Sequence, residues 1–558
     1  MQKYFPRLFL LLLGLLFLIN LLQSNFTQLI YDEAYYWYYA QHMAWGYFDH
    51  PPMIAGMIKL SSWIATGELG VRLVTTVFSV GTLALLWLQI DHKDKNKNIP
   101  LFFLLVFAMP LLNAYGFFTL PDTPLLFFSA LFLLIYKRFL VEPSWTKALV
   151  MGIVMAAMMY SKYHAALIII FVLLSNISLL KNKYAWAAVS VALLSFVPHF
   201  IWLNKNDWVT IFFHIYERPN QAYTFTGNTL GYLVNLIANF GLLFPFVYWA
   251  LYKTKITDKY TKALVYLSVG FILFFFISTF NRRSQAQWVI ALCIPLTVLT
   301  YNWLLQNTKA RIWTFRLGIA SLLLLLYARV WLIYQPLLPK VFETHGNKAF
   351  TERILEKADG AAVIFENSYR RASMFSFYAG QPSFSLNNLF YRYNQYALDD
   401  SENYFQAKRV AYISPHYPAK DFKVMYKDSS SFNGTFIDNF TSYRKLKVII
   451  PEDEVLLDVN PIEIKIYNPY KVDIPVDSLK FYGGFTDGYK KMQKSYPLEL
   501  NKEYSQLLLK QDTTTVHVNI PSLPENDFEY IRFGILENNL FPGINSKPYK
   551  LVSGGGNN

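Results

Sequence analysis

Residues 31–59 read YDEAYYWYYAQHMAWGYFDHPPMIAGMIK. The stretch follows directly on the first apolar run of the chain. It holds two acidic clusters, Asp32-Glu33 and Asp49-His50, and a double proline, Pro51-Pro52, among many Tyr and Trp. An acidic pair beside a membrane-length segment costs free energy unless it has a partner or a task. The stretch therefore reads as the candidate catalytic mouth of a membrane protein.

Working outward, the 558 residues are 54% hydrophobic and 18% aromatic, with only 16% charged. Mean hydropathy is +0.24. An ordinary soluble protein is more polar. The apolar residues gather in long runs between Leu8 and Tyr334, which indicates a polytopic membrane protein rather than one large core. Net charge is +14. Most cations in this half lie in short loops, so membrane topology explains them and no nucleic-acid partner is called for. The single cysteine, Cys293, sits in an apolar run and excludes an internal disulfide framework. The N-terminal run lacks a small-residue cleavage site and reads as a retained first span.

Candidate spans fall at 7–24, 71–90, 99–118, 123–136, 148–160, 163–180, 184–203, 229–252, 261–280, 286–304 and 312–334, about eleven at ~20 residues each. With the N-terminus inside, seventeen Lys and Arg fall in inside loops and span ends against seven outside. An odd span number then puts the C-terminus outside. The few outside cations, among them Lys162, Arg218, Arg282 and Arg283, run against that trend, and an anionic ligand at the outer face would account for them. This orientation corresponds to a bacterial inner membrane with a periplasmic C-terminal part.

Beyond Pro339 the sequence has no spanning run. Residues 340–445 mix helices (350–358, 369–378) with strands (361–365, 410–413) and read as α/β. Residues 446–552 read as short strands, including 447–450 and 462–466, in a β-sandwich-like domain. Asn433-Gly434 and Gly483-Gly484 read as turns. Residues 553–558, SGGGNN, read as a flexible tail.

Each motif carries a plain reading beside a chemical one. Asp32 caps a helix running to about Met43 with Glu33 in its first turn, or a carboxylate here serves as general base for a hydroxyl acceptor. Asp49 caps the helix that Pro51-Pro52 begins, or Asp49-His50 binds a divalent ion or a phosphate. Asp122, in PDTP, caps the next helix. Lys162, in SKYH, divides two apolar runs and either snorkels or meets a phosphate. His214 and Arg218 are four apart and share a helix face, with Arg218 a suitable phosphate fork. Arg282 and Arg283 flank a span.

Taken in order, the 31–59 stretch, GVRL (70–73), PDTPLLFF (121–128), SKYHAAL (161–167), PHFIWLNKNDW (198–208) and QAQW (285–288) resemble the bacterial family 39 glycosyltransferases. These are relatives of protein O-mannosyltransferases and of the lipid A aminoarabinose transferase. The likeness covers most of residues 1–335, continues weakly to about 445, and fades beyond. It implies a GT-C membrane fold and a polyprenyl-phosphate (undecaprenyl-phosphate) sugar donor. The acceptor would be lipid A, another glycan or a protein. Carried over by position, Asp32 matches the catalytic acidic residue. Asp49 stands at a metal-contacting glutamate, and His50 replaces a phosphate-binding lysine. Lys162 matches a phosphate-contacting lysine, and His214 and Arg218 match a pair near the metal and the phosphate. The implied cofactor is a divalent metal, Mg, Mn or Zn. The implied chemistry is an inverting transfer in which Asp32 takes the acceptor proton while Lys162 and Arg218 neutralise the leaving phosphate. The rival reading, a flippase or transporter for a lipid-linked sugar, requires charges near the midplane and paired broken helices. The polar residues here gather toward one face instead.

Overall fold

The computed structural model describes residues 4–218, 221–427, 430–501, 507–521 and 528–552. The tail at 553–558, expected to be flexible, lies outside the described residues. The chain divides into two compact units, Met1–His345 and Gly346–Asn558.

The first unit is helical. Among the described residues, eight helices are long and apolar enough to cross a membrane. They include α1 (Arg7–Phe26), α4 (Gly67–Gln89), α7 (Asp122–Val141) and α10 (Lys183–Lys205). The others are Phe225–Lys253, Lys259–Ser278, Ala286–Gln306 and Thr308–Ile333. The expected number of about eleven is not reached, and the three missing segments show why. The span expected at 99–118 is cut into α5 (Ile99–Phe107) and α6 (Pro110–Ala114), with Pro110 opening the second piece. The spans expected at 148–160 and 163–180 are α8 (Trp145–Ser161) and α9 (Ala165–Ser175), only 17 and 11 residues long. They part at Lys162, whose backbone is extended.

Two shorter helices carry the opening stretch: α2 (Tyr31–Gln41) and α3 (Met53–Ser62). Here Glu33, not Asp32, caps: its Oε2 accepts from the Ile30 N–H at 3.1 Å. Asp32 is the second residue of the helix. Nor does Asp49 cap α3, which follows Pro52 without a side-chain cap. Packing runs in a chain, α1 on α4, α4 on α7, α7 on α8 and α8 on α10. One continuous apolar core, from Phe9 to Leu305, fills the space between them.

At one end of α1 this core is pinned by a buried ion pair. Arg72 on α4 meets Glu33 on α2 through Nε–Oε1 at 2.7 Å and Nη2–Oε2 at 2.5 Å, both side chains fully buried. Arg72 also donates to the carbonyls of Ser24, Thr27 and Gln28, where α1 ends. Glu33 Oε1 further accepts from the Thr119 N–H at 2.8 Å. One arginine thus closes the C-terminus of α1 and fixes the start of α2.

The second unit begins with a helix, Asn347–Ala358, and a five-stranded mixed sheet. Its strands are β1 (Ala362–Glu366), β2 (Ser383–Leu386), β3 (Val410–Ser414), β4 (Phe422–Met425) and β5 (Ser431–Ile437), in the order β2-β1-β3-β5-β4. β1 pairs in parallel with β2 and β3, and the helix Tyr369–Ala379 makes the crossover from β1 to β2. An eight-stranded sheet follows, from Lys447–Ile449 to Tyr549–Val552, and its strands share one apolar core. Asn433-Gly434 and Gly483-Gly484 are not turns. Both pairs lie inside strands, β5 and Lys480–Thr486. A side chain at Gly434 would collide with the Phe422 ring, and one at Gly484 with Met492 and Leu389. These glycines make room for a neighbour rather than turn the chain.

Candidate functional site

The chemistry-bearing residues come from five places: α2, the 42–52 loop, the start of α7, the α8–α9 break and the segment 213–218. On α2, residues 32, 36 and 39 fall at helical spacings i, i+4 and i+7 and share a face. Tyr36 Oη lies 3.1 Å from His50 Nε2, and Tyr39 Oη donates to Asp49 Oδ1 at 2.6 Å. The face that carries Asp32 is therefore the face that grips the Asp49-His50 loop. The Tyr39 and Tyr47 rings stack at 4.1 Å and hold the loop folded back. Glu33 points the other way, into Arg72. All four bonds to its carboxylate come from buried or backbone donors. Glu33, offered by the sequence with Asp32 as a catalytic carboxylate, is bonded here as part of the frame between α1, α2 and α4.

Lys162 and Asp122, 40 residues apart, form a buried ion pair with Nζ–Oδ1 at 2.7 Å. Asp122 is the first residue of α7 and makes no cap. The ammonium carries three N–H donors, and among the described residues this is its one hydrogen bond. Tyr115 lies within electrostatic reach of both Asp122 and Asp32, which brings the two carboxylates into one neighbourhood.

His214 belongs to a π-helical turn, Phe213–Glu217, closed by the Arg218 N–H on the Phe213 carbonyl. Such turns concentrate at functional sites. His214 Nε2 donates to the Asp49 carbonyl at 2.8 Å. Arg218 Nη2 donates to Gln285 Oε1 at 2.8 Å, and its guanidinium lies over the Trp288 ring at 5.0 Å. His50 lies within electrostatic reach of Asp49, His214, Lys162 and Arg218. Burial pushes its imidazole down to about 3, with the pull of Asp49 opposing. At neutral pH His50 is a neutral hydrogen-bonding group, not a cation. Arg282 Nη1 reaches the His214 carbonyl at 3.4 Å and so braces the same turn, whereas Arg283 is exposed.

The expected metal ligands, Asp49 and His214, do meet, but through the backbone of one and the ring of the other. Asp49 Oδ1 is taken by Tyr39. Among the described residues no group of three or more His, Cys, Asp or Glu is placed to hold a metal ion. The donor set does not make a metal centre by itself.

Sequence reading missed five contributors. Arg72 was only a cation against the topological trend. Tyr36 and Tyr39 are two of many aromatic residues in the stretch and carry no role from composition, although their spacing from Asp32 is legible. His199 and Tyr163 lay inside recognised motifs without a role. His199 Nδ1 donates to the Trp45 carbonyl at 2.6 Å, which leaves Nε2 to accept from Tyr163 Oη at 2.8 Å. That pair orients the residue next to Lys162.

A bundle of apolar helices with this cluster, followed by a strand-rich unit, defines the class: the fold is GT-C. Residues 49–202 match the family model of dolichyl-phosphate-mannose-protein mannosyltransferase. The chain is 25% identical over 300 residues to the lipid A galacturonosyltransferase RgtD of Rhizobium johnstonii. That alignment takes in 51% of this chain and spans 63% of the relative's length. Among solved structures, ArnT from Cupriavidus metallidurans in the apo state superposes with a TM-score of 0.54 at 14% identity, covering 76% of this chain and 97% of that one. ArnT bound to undecaprenyl phosphate gives the same TM-score and identity over 78% and 98%. At that identity the likeness speaks to the fold. The family resemblance read from the motifs is borne out.

Proposed function

We propose that the chain is a membrane glycosyltransferase that moves a sugar from a polyprenyl-phosphate donor to an acceptor on the outer side of the membrane. The observation that carries this reading is the gathering of Asp32, Lys162, His50, His214 and Arg218 in one neighbourhood, with Lys162 only partly used by Asp122. The donor phosphate takes the remaining N–H groups of Lys162 and the Arg218 fork, and His50 adds a neutral hydrogen bond. Asp32 accepts the proton of the acceptor hydroxyl as its oxygen attacks the anomeric carbon. The bond from that carbon to the phosphate oxygen breaks, and the charge that grows on the phosphate is met by Lys162 and Arg218. A single displacement inverts the anomeric centre. The excess of Lys and Arg in the loops on the N-terminal side supports a cytoplasmic N-terminus. A strand-rich unit on the far side then needs an odd number of crossings, so one or all three of the interrupted segments cross besides the eight long helices.

RgtD is named for lipid A and ArnT has been solved with undecaprenyl phosphate, which supports a lipid A-type acceptor and this donor class. Mass spectrometry of lipid A and envelope glycans from cells with and without the chain tests the reading. One sugar present only with the chain supports it. Identical envelopes, together with no transfer from polyprenyl-phosphate sugars by the purified protein, refute it.

A further inference from the structure

We propose that the protein holds a small monovalent inorganic anion, of the size and charge of chloride, beside Arg329 where the first and last spanning helices meet. Arg329, on the helix Thr308–Ile333, is only 4% exposed. A cation inside a membrane domain is costly without a counter-charge. Arg72 has Glu33, whereas every hydrogen-bond acceptor of Arg329 is neutral. Nε donates to Asn113 Oδ1 at 2.8 Å, and Nη2 to Asn20 Oδ1 at 2.8 Å and the Asn113 carbonyl at 3.1 Å. The guanidinium also faces the Phe117 ring at 4.5 Å. Among the described residues Nη1 has no hydrogen-bond partner.

A small cavity adjoins it, lined in part by Asn20, Ser79, Asn113, Gly116 and Arg329. Asn20 gives its amide oxygen to Arg329, so its NH2 group is turned away from the guanidinium. A Cβ built on Gly116 would stand 2.8 Å from Asn20 Nδ2, 3.0 Å from the Asn113 carbonyl oxygen and 3.2 Å from Ser79 Oγ. The absence of that side chain keeps open a space faced by an amide N–H donor and a hydroxyl, beside an uncompensated guanidinium. The Asn113 carbonyl and the Ser79 hydroxyl can serve a water molecule as acceptors. What water does not supply is the counter-charge that the buried guanidinium lacks, and that deficit favours a small anion.

The test uses the purified full chain in detergent. Its unfolding midpoint is followed as chloride replaces gluconate at constant ionic strength. The expected result is a saturable rise with chloride in the parent protein and no rise in Gly116→Ala, which fills the space, or in Arg329→Gln. Ser79→Ala, which leaves the arginine and the helix packing in place, raises the half-saturating chloride about tenfold, the effect of losing one hydrogen bond to a charged group. Crystals in bromide then show an anomalous peak between Arg329 and Ser79. Equal midpoints in chloride and gluconate, a chloride response in Ser79→Ala and Gly116→Ala like that of the parent, or density for water without a bromide signal each overturn the proposal. If Arg329→Gln does not fold, Ser79→Ala and the bromide peak decide.

Discussion

Two buried ion pairs, both built on the 31–59 stretch or next to it, are put to opposite uses. In Glu33–Arg72 every N–H of the guanidinium has an acceptor: two on Glu33 and three on the carbonyls that end α1. Nothing is left over for a ligand. In Asp122–Lys162 a single bond joins the partners and the ammonium keeps donors in reserve. The difference teaches how to separate scaffold from working site when both are buried and charged. A saturated pair holds the backbone still, and an unsaturated one has capacity for a substrate. Adjacent residues fall on opposite sides of this division, since Glu33 faces Arg72 while Asp32 shares a face with Tyr36 and Tyr39.

The largest effect expected from breaking this comparison is on the scaffold side. Glu33→Gln leaves Arg72 buried without its counter-charge and should destabilise the protein by about 3–5 kcal/mol. Chemical denaturation in detergent, read by tryptophan fluorescence, checks it. A loss below about 1 kcal/mol would mean that the pair is not the clamp described. On the working side, Lys162→Met leaves the buried Asp122 without its partner and lowers stability as well, but transfer per folded molecule should fall by a further factor of about 100 to 1000, the range for removing one charge-stabilising donor. Equal loss of folded protein and of transfer would make Lys162 a second scaffold residue.

A third prediction sharpens the comparison with a buried carboxylate in the other unit. Burial raises Glu537 above the usual carboxylate range, with the Arg444 guanidinium opposing, and burial raises Glu402 in the same way. A group raised on folding adds stability that is fully present below its unfolded value, about 4.3, and is lost as pH rises through its folded value. Glu537→Gln removes that slope, so the variant should gain on the parent as pH is taken from 4 to 7. Parallel midpoint curves across that range would contradict it. The smallest effect is that of Tyr36→Phe. It removes one hydrogen bond to a neutral His50 and should lower transfer only severalfold, by about 1 kcal/mol, as steady-state rates would show. A loss as large as that of Lys162→Met would place Tyr36 at the reacting atoms.

Much of the fold was legible because long apolar runs are a local signal. All eight spanning-length helices coincide with runs expected from the sequence. The breaks were less legible. Pro110 divides a continuous apolar run, and Lys162 interrupts another because its charge is drawn to Asp122, a partner 40 residues away that no window contains. The bonding of Glu33 is hidden for the same reason, as Arg72 lies 39 residues on. The π-helical turn at His214 has no composition of its own, since its bonding differs from an α-helix by one residue of register. Asn433-Gly434 was misread because a glycine that admits a neighbouring ring looks, in sequence, like one that turns the chain. Position and the resemblance single out Asp32, and the helix spacing places Tyr36 and Tyr39 on its face.

The central claim is that Asp32 does the chemistry while Glu33, beside it, only holds the frame. It is tested most directly by the transfer rate per folded molecule of Asp32→Asn, with purified protein, a polyprenyl-phosphate sugar and acceptor. The account predicts parental folding and a rate lower by about 100- to 10,000-fold, the contribution of a general base. Folded Asp32→Asn that transfers at close to the parental rate would contradict it.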